Sequence, residues 1–217
     1  GTGDTRVKNK QTLTPFFNPN NSNEIVYIDE DNRVFKLIKY NLTTGIKQVL
    51  FTYNSYIGEP KWNKKGWILF RGIENQICLI KDNGDSLKRI QCYLGNNYPS
   101  FFNNDTSIFY NVSIEKKPGS AGTKLINFNG KILDSTRTSY DEVTLYLSSI
   151  NENNIIATIH YKKVENKLSI IYFNWGDKKL NYVYDFDANV RNNVTGISWH
   201  PNNEDIIFSI DNSGIYK

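Results

Sequence analysis

The side chains of this sequence that could do chemistry are few, and they stand singly or in pairs where the chain turns. Glu59 opens the run Glu59-Pro-Lys-Trp62, Asp141 and Glu142 precede Val143-Thr-Leu-Tyr-Leu147, and Asn97 and Asn193 precede two further β-prone runs. Arg71 ends Trp67-Ile-Leu-Phe-Arg71, and Lys116-Lys117 lie in the Pro- and Gly-containing stretch between Ser113 and Gly122. If Glu59, Asp141 and Glu142 converged, they would suit glycosidic-bond cleavage, where one carboxyl serves as acid and another as base or nucleophile. Apart, they are solvated turn acids that, with the amides and cations, suit polar recognition of a partner.

Other chemistries find no set of residues here. His160 and His200 are the only histidines and fall at different places in the repeat pattern, so a multi-histidine metal site is not expected. Asp29-Glu-Asp-Asn32 lacks the spacing to a terminal Glu that a calcium loop needs, and reads as a polar turn. No nucleophile elbow and no phosphate-binding glycine loop occurs, so no cofactor is expected. Cys78 and Cys92 are the only cysteines. Hairpin pairing would set Cys78 opposite Arg89, leaving Cys92 past easy disulfide reach; two buried thiols are the reading, and the redox compartment stays open.

The elements that must position these residues are strands. Aromatic residues make up 14% of the 217 residues, Met is absent, and Asn recurs in nearly every candidate turn, a composition that favours strands and tight turns over helices. A chain of this length fits one all-β domain. The formal net charge is +4, spread along the chain in single residues or pairs such as Lys64-Lys65 and Lys178-Lys179. That is a solvated surface, not the clustered footprint of a nucleic-acid binder. No apolar run is long enough to span a membrane.

The stretch from Gly58 to Cys92 reads as one four-stranded antiparallel unit, and four other segments can be laid on it. The first-strand anchors are Pro15/Phe17, Pro60/Trp62, Pro99/Phe101, Leu145/Leu147 and Ile197/Trp199; the second-strand anchors are Ile25/Tyr27, Ile68/Phe70, Ile108/Tyr110, Ile155/Ala157 and Ile206/Phe208. A repeat of roughly 40–50 residues with four strands per repeat is the signature of a β-propeller blade. The expected fold is an all-β, five-bladed β-propeller with blades at 14–52, 58–94, 97–137, 143–186 and 194–217. The last blade has no fourth strand of its own, and residues 5–13 are expected to supply it and close the ring; a segment of a larger propeller is the alternative. Strands such as Ile77-Cys-Leu-Ile80 are apolar on both faces, as sheets covered on both sides must be.

The segments EPKWNKKGWILF, TGISWHPNNEDIIFSIDNSGIYK and TPFFNPNNSNEIVYI resemble the repeats of TolB-type β-propellers, with their Pro-x-Trp opening, Ile-x-Phe strand and Asp-Gly turn. The third repeat has Phe101-Phe102 for the Trp, and the fourth lacks the Pro-x-Trp opening. The resemblance implies a non-catalytic, exported module, periplasmic or at the cell surface, that engages a protein partner through loops around its channel. TolB proper has six blades and a further N-terminal domain, so its own partner is not carried over. A monomer is expected. Glu59, Asn97, Asp141, Glu142, Asn193, Arg71, Lys116 and Lys117 would then form the binding rim, with a glycan as the alternative ligand, since five-bladed arabinanase-like hydrolases use acids around such a channel.

Overall fold

In the computed structural model the residues described are 13–72, 76–90, 99–102, 105–112, 122–137, 142–162, 165, 167–177, 179–187, 194–200, 204–210 and 214–216. Every regular element among them is a β-strand. The chain divides into two compact units, Gly1–Arg89 and Ile90–Lys217.

The first unit carries two four-stranded antiparallel sheets. One is β1 (Leu13–Asn18), β2 (Asn21–Asp31), β3 (Val34–Asn41) and β4 (Lys47–Tyr53); the other is β5 (Gly58–Trp62), β6 (Trp67–Gly72), β7 (Gln76–Lys81) and β8 (Lys88–Ile90), whose last residue falls at the boundary. The second unit carries three sheets. They are β9 (Ser100–Phe102), β10 (Ser107–Val112), β11 (Gly122–Asn127) and β12 (Ile132–Arg137); β13 (Glu142–Ile150), β14 (Ile155–Lys162), β15 (Lys167–Asn174) and β16 (Leu180–Asp187); and the three-stranded β17 (Val194–Trp199), β18 (Ile206–Ile210) and β19 (Gly214–Tyr216). Strands follow one another across each sheet in chain order, the up-and-down blade pattern.

The register bears out the repeat alignment in four sheets: Phe17 faces Ile25, Trp62 faces Ile68, Phe101 faces Ile108 and Trp199 faces Ile206. In the fourth sheet the equivalent pair is Ile150 and Ile156, not the expected Leu147 and Ile155. An irregularity between Leu145 and Ser148 absorbs the extra residues there. Burial at the anchors also differs. Trp62 is 3% exposed, whereas Phe17 is 57% exposed and its neighbour Phe16 packs on the core instead. Of the segment expected to complete the fifth sheet, Leu13 pairs with Ile28 in the first sheet, and 5–12 lie outside the described residues.

The turns between first and second strands share a device with those between third and fourth. Asn63 donates its backbone N–H to Trp67 O (3.0 Å) and accepts that of Gly66 (3.1 Å), while its Oδ1 accepts the backbone N–H groups of Lys65 (3.0 Å) and Trp67 (2.8 Å). Asn127 repeats this with Asn129 and Lys131, and Asn151 with Asn153 and Ile155. The residue that closes the turn is left-handed in each, with φ of +73° at Gly66, +81° at Gly130 and +60° at Asn154. Only Gly or Asn takes that conformation at little cost.

Each unit has its own apolar core. In the first, Val26, Ile28, Phe35 and Leu37 of one sheet meet Trp62, Ile68, Phe70 and Ile80 of the other. Cys78 lies buried among them, and Cys92 lies outside the described residues. In the second unit the fourth sheet is covered on both faces. Ile156, Phe173 and Trp175 pack on Phe102, Phe109 and Leu125 of the third sheet, while Ile159, Leu168, Ile170 and Phe186 pack on Ile206 and Phe208 of the fifth. Period-2 alternation puts these sets on opposite faces, which is why the strands read as continuous apolar runs. Trp175 Nε1 reaches Asp134 Oδ2 at 2.8 Å and Trp199 Nε1 reaches Ser149 O at 3.1 Å, tying sheet to sheet with polar bonds.

Outer strands carry a bulge at one recurring place. Leu50 of β4, Leu133 of β12 and Val183 of β16 are each the extra residue against the neighbouring strand.

The turn device has a measurable worth. Asn63→Ala strips two backbone N–H groups of their acceptor at a site 2% exposed, and should lower stability by about 1–2 kcal/mol in urea unfolding. Lys64→Ala in the same turn should stay within about 0.5 kcal/mol.

Candidate functional site

Each sheet has two ends. The turn end holds the connections from first to second and from third to fourth strand; the rim end holds the entrances of the first strands and the connections from second to third. Glu59 and Arg71 both belong to the rim end of the second sheet, where Gly58 pairs with Arg71 and the bulge between Gly58 and Lys61 takes in Glu59. Tyr56 lies across Gly58, so close that a side chain at that position would displace the phenol. Arg71 is half-buried, opposite Ile77. Glu142 opens β13 in the fourth sheet, paired with Lys162, three residues farther along the second strand from its turn than the Gly58–Arg71 pair. The structure therefore places Glu59 and Arg71 on one hairpin at the rim end of the second sheet, and Glu142 at the start of β13 in the other unit. Asn97, Asp141, Asn193, Lys116 and Lys117 lie outside the described residues.

The rim end of the first sheet carries further charged residues. The β2–β3 hairpin turns through Asn32 and Arg33, with φ of +52° and +65°. Two consecutive left-handed residues make a type I′ turn, whose second position favours Gly. Arg33 sits there exposed, and Asp29, Glu30 and Asp31 lead into it along β2. None of the four side chains makes a hydrogen bond or ion pair with a described residue. The hint in the sequence was Asn-Arg where a hairpin asks for Asn-Gly.

In the second unit His160 and Ser169 are buried cross-strand partners, and Ser169 Oγ donates to Asp185 Oδ1 at 2.6 Å. Asp185 also pairs with Lys167, and the His160 ring meets Tyr182 edge-on. The serine is bonded directly to the carboxylate with no imidazole between them, and it is closed to solvent. That is a structural polar network and not a nucleophile with its base. No cluster of His, Cys, Asp or Glu suited to a metal occurs among the described residues, and they hold no helix long and apolar enough to cross a membrane.

No family model and no curated protein sequence matches the chain. Solved structures do match. TolB from Acinetobacter baumannii superposes with a TM-score of 0.73 at 16% identity, over 91% of this chain and 48% of TolB. Oligogalacturonate lyase in complex with manganese follows with a TM-score of 0.65 at 14% identity, over 93% and 62%. The acylaminoacyl peptidase of Pyrococcus horikoshii gives 0.60 at 10% identity, over 94% and 36%. The protein has a TolB-like β-propeller fold. It spans about half the length of TolB and less than two thirds of the lyase.

Arg33 offers a direct test of conformational cost at the rim. Arg33→Gly relieves a left-handed arginine and should raise stability by about 0.5–1 kcal/mol, read as a higher midpoint in thermal unfolding.

Proposed function

We propose that the protein is a non-catalytic binding module of the bacterial cell envelope, periplasmic or at the cell surface, that engages a protein partner through the rim ends of its sheets. The observation that carries this reading is the set of charged side chains at the rim end of the first unit. Asp29, Glu30, Asp31 and Arg33 are held on one two-residue hairpin without a hydrogen-bond or ion-pair partner among the described residues, which suits pairing across an interface. The likeness of fold to TolB agrees with it. Partner recovery from a native envelope extract should drop at least about tenfold for Asp31→Lys/Arg33→Glu relative to wild type at low salt, and equal recovery by both would count against the rim.

A second reading, a glycan-active propeller, draws on Glu59 and Glu142 each lying at the entrance of a first strand. Release of reducing sugar from a polysaccharide panel, abolished by Glu59→Gln, would establish it and displace the binding-only reading.

We further propose that residues 5–12 supply the strand that the three-stranded fifth sheet lacks, making the fifth blade of a closed ring. The outer side of β19 carries no strand among the described residues. Deleting residues 1–10 should lower the thermal midpoint by several degrees, since one outer strand contributes on the order of a few kcal/mol.

A further inference from the structure

The turn end of the second sheet, opposite the rim, gathers lysines that are far apart along the chain. Antiparallel pairing sets Trp67 opposite Lys81. The Lys81 ammonium lies 4.5 Å from the Trp67 ring centroid and that of Lys88 5.4 Å from it. Lys64 and Lys65 are exposed on the adjoining turn, and Lys81 Nζ donates to Lys65 O at 3.0 Å, which draws the groups together. Two like charges held against one indole repel each other, and an anion between or above them would offset that repulsion. Neither Lys81 nor Lys88 has a carboxylate within ion-pair distance among the described residues. Asp82 stands beside Gly66, and Asp85 Oδ2 accepts from Asn83 Nδ2 at 2.9 Å.

Side-chain amides edge this patch. Asn20 Nδ2 donates to Lys64 O and Gln48 Nε2 to Asn83 O, so both use their NH2 groups internally and keep their carbonyl oxygens for other donors. Ammonium groups suit carboxylates, and free amide oxygens suit hydroxyls. A ligand offering both, repeated along a chain, is an acidic polysaccharide.

We propose that the turn end of the second sheet, with Lys81 and Lys88 over Trp67 and Lys64 and Lys65 beside them, is a binding surface for an acidic polysaccharide. It lies at the opposite end of the sheet from Glu59 and Arg71, so it stands or falls independently of the rim.

Titration calorimetry with alginate, a linear polyuronate, tests this at 50 mM and 300 mM salt, with neutral dextran alongside. Wild type should bind alginate and not dextran, more weakly at the higher salt. Lys81→Gln/Lys88→Gln should weaken binding at least about tenfold, as expected for removal of two charge-assisted contacts. Lys124→Gln/Lys131→Gln, an equal loss of charge on the third sheet, should change it less than about twofold. Far-ultraviolet circular dichroism and thermal midpoints confirm that both variants are folded. Equal losses in the two double variants would reduce the effect to bulk charge and overturn the proposal. Binding of dextran as tight as alginate, no binding of alginate at 50 mM salt, or binding of phosphatidylglycerol vesicles in place of alginate would overturn it as well.

Discussion

A single hydrogen-bonding device recurs in the second, third and fourth sheets and sets how they are built: an asparagine side chain that stands in for backbone. In Asn63, Asn127 and Asn151 one amide oxygen takes up two turn N–H groups that would otherwise face the end of a sheet without an acceptor. The turn it stabilises has one length and one left-handed residue, so it also sets which residue of the second strand faces which residue of the first. Register in turn decides which side chains enter the core. Replacing the polar turn by a longer or less constrained loop would leave the apolar anchors intact and still lose the alternation that lets both faces of a sheet be covered.

That dependence explains what could be read from residue types alone. In the sheets with a strong aromatic or Pro-x-Trp anchor, the pairs Trp62–Ile68 and Trp199–Ile206 follow from the repeat. The fourth repeat offers Val, Leu, Leu and Ile at competing spacings between Val143 and Ile150, and hydrophobicity cannot choose among them. Asn151 chooses, because its turn is the same as that of Asn63, and it points to Ile150. Phe17 shows the opposite limit. Its register is the expected one, yet its ring is exposed, because burial depends on the neighbouring sheet and not on the strand that carries the residue.

The sites divide in the same way. The bulge that takes in Glu59, set against the strand of Arg71, is a consequence of one hairpin and is legible from its two strands. The lysines around Trp67 are not, since along the chain Lys64-Lys65, Lys81 and Lys88 look scattered, and only the fold across three strands makes them a patch. Arg33 left the faintest trace, a single residue where glycine is customary, whose meaning depends on knowing that the turn is a two-residue one.

The bulges of the outer strands bear on how the protein behaves in a crowded compartment. Val49, Ile132, Leu133 and the run Tyr182-Val183-Tyr184 are about half exposed on those strands, which is the material from which intermolecular sheets grow. An extra residue at Leu50, Leu133 or Val183 throws the following N–H and C=O groups out of step with any straight strand that approaches. A stray segment can then zip along only a short stretch before its bonds and its side-chain faces fall out of phase. The same residue that bends an outer strand thus shortens the stretch over which a second strand could pair with it.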